Sequence, residues 1–226
     1  MHDRAAERAA KGERLPLVVF LHGLNKDLIP HRWMGGGNEG DVRRLVAELV
    51  DAGTIPPVVV AGPGSVVKEA VARGASFPEI DVGHFVERTE AALGASVPID
   101  AARVVVLGHS GAGCSDKGGI VAALRMKRPP LGVVSIDTCM GPGLARDLAA
   151  APPTTHVVVS WQDASWKRPF AAFKATFAQG VAAHPPATGA LRELDHLPAL
   201  ARAHDATVGQ TLAKWLPRLL VPVPPP

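Results

Sequence analysis

Short apolar runs alternate with amphipathic stretches along the chain. The run at 104–107, V-V-V-L, is rich in β-branched residues and is followed by glycine, which is typical of a strand buried on both faces. Apolar residues spaced three and four apart predict helices between these runs. The predicted strands are 17–21, 58–61, 104–107, 131–136, 156–160 and 190–194. The predicted helices are 41–52, 82–93, 119–127, 144–150, 170–181 and 206–219.

This alternation predicts an α/β fold: a mostly parallel, doubly wound sheet of about six strands with helices on both faces. In such sheets, functional groups lie on the loops that follow the carboxyl ends of the strands. The 226 residues suit a single domain, 1–226, around one core. We expect residues 1–14 to form a frayed helix or an ordered arm, and the proline-rich residues 221–226 to be a disordered tail.

Composition argues against two classes of partner. The formal net charge of +3 is small and scattered, and no basic cluster is interleaved with aromatic residues, so we expect no nucleic-acid partner. No stretch approaches the roughly eighteen apolar residues of a membrane span, and residues 1–14 lack the apolar core of a signal peptide. A cytoplasmic protein without a membrane span is therefore expected.

Residues 103–114 read R-V-V-V-L-G-H-S-G-A-G-C and carry the clearest chemical signal. The pattern around Ser110 is G-x-S-x-G with Ala112 in the last position, where another small residue also suits close packing. Such a turn lifts a serine hydroxyl clear of the sheet, with a backbone N–H beside it. A nucleotide-binding turn is the alternative, but His109 and Ser110 stand where G-x-G-x-x-G would approach a pyrophosphate. We therefore predict that Ser110 is a nucleophile.

These residues resemble the α/β-hydrolase family. Two early strands common in that family are missing, and the interval between the fourth and fifth predicted strands is too short for the helical cap of larger relatives. The chain thus resembles a compact serine esterase with an open site, similar to cutinases in its small size. The resemblance covers residues 17–219 and rests on L-V-V-F-L-H-G-L at 17–24, G-H-S-G-A-G at 108–113 and H-D-A-T-V-G-Q-T-L at 204–212.

The resemblance implies a triad in the chain order serine, acid, histidine. It favours His204 as the base, because this histidine stands in a loop directly before the final predicted helix, with His196 as the rival. Two carboxylates end adjacent predicted strands, and either could orient the base. Asp163 has the family's commoner location, whereas Asp137 lies directly at a strand end and is held more rigidly. We favour Asp137 and expect the other carboxylate to cap a helix or to support the triad.

By the same resemblance, the backbone N–H groups of Leu24 and Gly111 form an oxyanion hole. Asn25, Trp33 and Trp161 lie on strand-end loops, where we expect them to contact the substrate. The tryptophans suit an apolar acyl or alcohol group but could equally belong to the core.

The predicted function is hydrolysis of a small-molecule carboxylic ester or thioester through an acyl-enzyme on Ser110. Amide or peptide hydrolysis and acyl transfer on the same triad are alternatives, as is a catalytically silent binding module. We expect no cofactor and no metal, because no pair of histidines or cysteines has ligand spacing. Cys114 and Cys139 end two predicted strands, and their sulfurs would be close if those strands are neighbours. Two cysteines do not make a disulfide framework, however, and we expect free buried thiols.

Overall fold

The computed structural model describes residues 2–29, 33, 41–65, 72, 74–166 and 170–221, with only the backbone described at Trp166. The strands are β1 (Leu15–Leu21), β2 (Val59–Ala61), β3 (Ile99–His109), β4 (Gly132–Ile136), β5 (His156–Trp161) and β6 (Arg192–His196). The α-helices of this part are α1 (Asp3–Ala10), α2 (Val42–Asp51), α3 (Val82–Leu93), α4 (Ile120–Ala123), α5 (Pro142–Ala149), α6 (Asp163–Trp166), α7 (Ala171–Ala183) and α8 (Ala203–Leu220). Short 3-10 turns occupy Gly94–Ser96 and Ser110–Gly113.

All six strands are parallel and form one sheet in the order β2-β1-β3-β4-β5-β6. The predicted α/β fold with a doubly wound sheet is thereby confirmed. Every residue of β1 and β4 is buried, which explains why these strands read as continuous apolar runs rather than alternating ones. Because β3 is central, its carboxyl end is flanked by the loops that follow β1 and β4.

Successive strand residues face opposite layers of helices. Val19 and Val106 pack in a core with residues of α3, α5 and α7. Val18 and Val105 pack on the other face with residues of α2 and α8. None of the helices in the described part has the length and apolar character that a membrane span requires.

Most elements differ from their predicted bounds by a few residues, and β3 begins at Ile99, five residues before its predicted start. Three of the other differences have a local cause. Helix α4 ends at Ala123 rather than near residue 127, because the next three residues hydrogen-bond to carbonyls three positions back and leave α geometry. Strand β6 lies two residues later than predicted, since its polar sequence R-E-L-D-H at the sheet edge carries little hydrophobic pattern. Helix α8 begins at Ala203 instead of residue 206, so His204 lies in its first turn and not in the preceding loop.

Residues 1–14 were expected to form a frayed helix or an ordered arm, and residues 221–226 a disordered tail. Residues of the N-terminal arm form helix α1, whose Ala5 and Ala9 are buried against Leu15 and Val97. Of the proline-rich tail, only Val221 belongs to the described residues. Most of the glycine-rich segment before α2 also lies outside them.

Cys114 and Cys139 form a disulfide, so the expectation of free thiols is wrong. Cys114 follows the 3-10 turn after β3, and Cys139 follows β4. These strands are neighbours in register, with His109 opposite Ile136, and their ends bring the two Cα atoms to 5.1 Å. The pairing depends on strand order, which spacing along the chain does not reveal.

Loss of this disulfide is expected to lower the free energy of unfolding by about 3 kcal/mol, because the bridge closes a loop of 25 residues in the unfolded chain. Urea unfolding of the native chain with and without reductant measures the effect. The Cys114→Ser, Cys139→Ser double variant is the control, since reductant should not move its midpoint. Equal midpoints for oxidised and reduced native protein would contradict the expectation.

Candidate active site

Ser110 begins the sharp turn at the carboxyl end of β3. It is half-buried, and its φ of 53° lies in the left-handed region, which a non-glycine residue adopts only when its surroundings impose it. A Cβ at Gly108 would lie 3.0 Å from Ile120, and one at Gly113 would lie 2.5 Å from Thr138. Small residues are therefore required on both sides of Ser110, as the sequence pattern suggested. The turn continues as a 3-10 helix, not directly as an α-helix.

A histidine and a carboxylate from different elements meet beside this turn. His204 Nδ1 lies 2.5 Å from Asp137 Oδ2. Asp137 directly follows β4, is fully buried, and its backbone N–H donates to the Ser160 carbonyl at 2.7 Å. A ring that donates Nδ1–H to a carboxylate keeps the Nε2 lone pair available to accept a proton. The His204 side chain is 35% exposed, so that nitrogen is not sealed in the core.

His109, the residue before Ser110, packs against His204. Its ring centroid lies 4.5 Å from that of His204, and its Nε2–H donates to the His204 carbonyl at 3.0 Å. The fully buried imidazole ties the start of α8 to the end of β3.

His22 organises the loop after β1. Its Nδ1–H donates to the Gly23 carbonyl at 2.7 Å, and its Nε2 accepts from the Ser65 N–H at 2.9 Å. The ring also lies against Phe77, with centroids 4.7 Å apart. Both nitrogens are thus engaged by neighbouring loops, which fixes the position of the His-Gly turn.

The turn held by His22 lies against Ser110. A Cβ at Gly23 would lie 2.8 Å from Ser110 Cβ, and one at Gly111 would lie 2.9 Å from Leu24 Cδ2. The two residues predicted to supply oxyanion donors, Leu24 and Gly111, are therefore in contact with each other next to Ser110.

Asn25, expected to contact substrate, binds its own loop. Its side-chain amide donates to the carbonyls of Ile29 and Ser65 and accepts from the Ile29 N–H. The residue is 2% exposed. These bonds hold the loop after β1 in place, and substrate contact by Asn25 stays a prediction.

The two candidate tryptophans pack within the protein. Trp33 lies over Gly62, whose Cβ would come within 2.9 Å of the indole, and Arg43 lies 5.2 Å from the ring centroid. Trp161 is 5% exposed and stacks on His196 at 5.3 Å. The sequence left open whether the tryptophans contact substrate or belong to the core. For Trp161, these contacts favour a place in the core.

The rival acid and rival base pair with each other. His196 Nε2 lies 2.9 Å from Asp163 Oδ2, and their side chains are 53% and 62% exposed. The structure therefore pairs Asp137, which follows β4, with His204, and it pairs Asp163 with His196.

Two residues near the site were not predicted from the sequence. Ser76 donates its backbone N–H to the Gly111 carbonyl at 2.9 Å and thereby props the nucleophile turn. Gln162, the first residue after β5, is fully buried against Asp137. Its position beside the predicted Asp163, directly after a strand, could have marked it as a candidate.

A cleft of about 330 Å³ lies beside the loop that His22 holds. Its walls include Pro63, Ser65, Phe77 and Ile80, and two of these residues contact His22. Larger cavities of about 500 and 620 Å³ lie near α1 and α3, at the amino ends of the strands. The smaller cleft lies towards the carboxyl ends of the strands, where such sheets hold functional groups, but Ser110, Asp137 and His204 are not among the residues that line it. Among the described residues, no group of three or more His, Cys, Asp or Glu side chains could hold a metal ion.

No model of a known protein family matches the sequence, and no curated protein matches it. Several solved structures do resemble the fold. An S-formylglutathione hydrolase from Agrobacterium tumefaciens superposes with a TM-score of 0.56 at 17% identity, over 95% of this chain and 87% of the other. An IroE-like serine hydrolase from Shewanella oneidensis gives 0.56 at 14% identity, over 94% of this chain and 72% of the other. The AtxE2 isopeptidase gives 0.54 at 16% identity.

The lengths covered differ between these proteins. The chain spans 37% of the AtxE2 isopeptidase, although 94% of its own length is matched. Identities this low concern the fold and not the chemistry. The all-parallel order of six strands, with these likenesses to esterases and serine hydrolases, shows that the chain has the α/β-hydrolase fold.

Proposed function

We propose that this protein is a serine hydrolase that cleaves small carboxylic esters or thioesters through an acyl-enzyme on Ser110. His204 acts as the base and Asp137 as the orienting acid. The observation that carries this proposal is the pairing of His204 with the buried Asp137 at 2.5 Å, where the start of α8 meets the end of β4 beside the Ser110 turn.

In the proposed reaction, Ser110 Oγ attacks the carbonyl carbon while its proton passes to His204 Nε2. Asp137 stabilises the imidazolium that forms. The backbone N–H groups of Leu24 and Gly111 receive the developing oxyanion. His204 then protonates the departing alcohol or thiol. A water molecule, activated by His204, next attacks the acyl-enzyme, and His204 returns the proton to Ser110 as the acid is released.

The similar solved structures support hydrolase chemistry, and one of them supports amide hydrolysis as a second candidate function. One is named for hydrolysis of S-formylglutathione, which is a thioester, and another is named a serine hydrolase. The AtxE2 isopeptidase favours amide chemistry as the second candidate. Matched p-nitrophenyl ester and p-nitroanilide substrates separate the two, because only the leaving atom differs.

We propose that the acyl group enters the cleft beside the His22 loop, because Ser76, the neighbour of its wall residue Phe77, donates its N–H to the Gly111 carbonyl. The cleft's 330 Å³ lies at the lower end of the roughly 300–1,000 Å³ range of small-molecule sites, and Phe77 and Ile80 favour an apolar group. Rates for p-nitrophenyl esters should therefore fall as the acyl chain lengthens.

The function is tested by hydrolysis of p-nitrophenyl acetate together with labelling by a fluorophosphonate probe. We expect turnover and a single modified peptide that contains Ser110. A protein that neither hydrolyses the ester nor takes the label at Ser110 would be a silent binding module, and the proposal would fall.

Gly23→Ala is expected to lower kcat/KM for p-nitrophenyl acetate about 100-fold. The new Cβ would lie 2.8 Å from Ser110 Cβ, so the loop must move away from the nucleophile and misplace an oxyanion donor. Gly141→Ala is the matched control, because its Cβ meets nothing within 4 Å and its φ of −81° is ordinary. Equal losses in both variants would contradict this reading.

The compartment is a separate matter. The cytoplasmic location expected from the sequence stays a prediction, and the Cys114–Cys139 disulfide weighs against it. Cytosolic reductants keep most thiols reduced, so such a bridge suits an oxidising compartment better.

A further inference from the structure

Gln162 is a fully buried polar residue directly after β5, and the proposed mechanism does not use it. Its Nε2 donates to Asp137 Oδ2 at 2.8 Å. The same carboxylate oxygen receives His204 Nδ1. The amide and the imidazole therefore hold one oxygen atom from two directions.

The orientation of the amide is fixed by its other end. Gln162 Oε1 accepts the backbone N–H groups of Ala164 at 2.7 Å and Ser165 at 3.2 Å, at the start of α6. Backbone N–H groups can only donate, so the amide oxygen must face them. The NH₂ group then has to face Asp137, where it acts as a donor, and it also contacts the Ser165 hydroxyl.

The second oxygen of the carboxylate receives less support. Asp137 Oδ1 is buried, and within the described part of the chain no hydrogen-bond partner reaches it. The rotation of the carboxylate is therefore set at Oδ2, by His204 and Gln162 alone. A hydrogen bond to an ionised acceptor is stronger than one between neutral groups, so the Gln162 donor is well suited to this task.

We propose that Gln162 is a positioning residue: its amide, locked by the start of α6, holds the Asp137 carboxylate in the geometry that orients His204. This rests on the proposed function, in which Asp137 acts on His204. Gln162 itself contacts neither the substrate nor the reacting atoms.

Two variants remove the donor in different ways. Gln162→Met keeps the length of the side chain but has no polar hydrogen. Gln162→Glu keeps an acceptor for the α6 N–H groups and turns the donor into a second carboxylate. Both should lower kcat for p-nitrophenyl acetate about 10- to 100-fold with KM within about twofold, which is the range for a lost hydrogen bond to a charged group. Ser165→Ala is the control: it removes the other Nε2 contact, leaves the Asp137 contact, and should keep kcat.

A double-mutant cycle separates positioning from general support of the fold. In an Asp137→Asn background, Gln162→Met should lower kcat by less than about twofold, because the carboxylate through which it acts is gone. The same loss in both backgrounds would overturn the inference, as would an unchanged kcat in both folded Gln162 variants. If Gln162→Met does not fold, Gln162→Glu decides on its own, since it retains the helix contacts.

The outcomes also distinguish this inference from the proposed function. If Ser110→Ala and Asp137→Asn leave hydrolysis unchanged, the function itself is wrong. If both lose activity while the Gln162 variants keep theirs, only the positioning role is wrong.

Discussion

Replacement of Ser110 by alanine is expected to lower kcat for p-nitrophenyl acetate by about 10⁵- to 10⁶-fold. The variant has no hydroxyl to form the acyl-enzyme, so only the oxyanion donors and substrate binding still accelerate the attack of water. Fluorophosphonate labelling should disappear at the same time. Steady-state kinetics and mass spectrometry of the labelled protein measure both effects.

Ser115→Ala is the control for this variant. Ser115 lies five residues further on, and its hydroxyl accepts the backbone N–H of Gly118 at 3.0 Å. We expect its kcat to stay within about threefold of the native value, as for a substitution away from the reacting atoms. A Ser110→Ala protein that still hydrolyses the ester at the native rate would show that the nucleophile lies elsewhere.

Asp137→Asn is expected to lower kcat about 10⁴-fold with little change in KM. An asparagine amide can donate to His204 Nδ1 but cannot stabilise an imidazolium. Such a contact also favours the tautomer with the proton on Nε2, and that nitrogen could then no longer accept the serine proton. The loss should appear in both kcat and kcat/KM, because the missing interaction strengthens only in the transition state.

Asp163→Asn is the matched comparison, since it makes the same change at the other candidate acid. Asp163 is 62% exposed and pairs with His196, and an exposed pair contributes at most about 1 kcal/mol. Its kcat should stay within about threefold of native. The reverse outcome, a large loss in Asp163→Asn and none in Asp137→Asn, would assign the acid to the end of β5.

The site is assembled by contacts between the ends of adjacent elements. His109 ties α8 to β3, the disulfide ties the loop after β4 to the turn that holds Ser110, and Gln162 ties the end of β5 to Asp137. The disulfide is covalent, the Gln162 link is buried and the His109 link is partly buried, so none relies on a fully exposed pair. The proposed acyl transfer requires such preorganisation, because misplacement by about 1 Å can cost 10²-fold in rate.

Strands buried on both faces were readable from the sequence because each is a short, nearly continuous apolar run. Strand β6 was shifted by two residues, since an edge strand with the sequence R-E-L-D-H has a single apolar residue to mark it. The start of α8 was misplaced because Arg202, with a φ of 52°, precedes it without a side-chain cap that the sequence could reveal.

The sequence by itself determined the layered sheet, the serine at the end of the central strand and a short set of candidate acids and bases, because each depends on local pattern and on the rule that loops follow strand ends. Tertiary structure decided which of those candidates meet. Register between β3 and β4 places Asp137 next to the Ser110 turn and joins Cys114 to Cys139. Packing of α8 then brings His204 to that carboxylate. The end of β5 brings Gln162 to the same carboxylate oxygen from another direction. These contacts join residues 25 to 67 positions apart, so their geometry is set by strand order and helix packing, which no local pattern encodes.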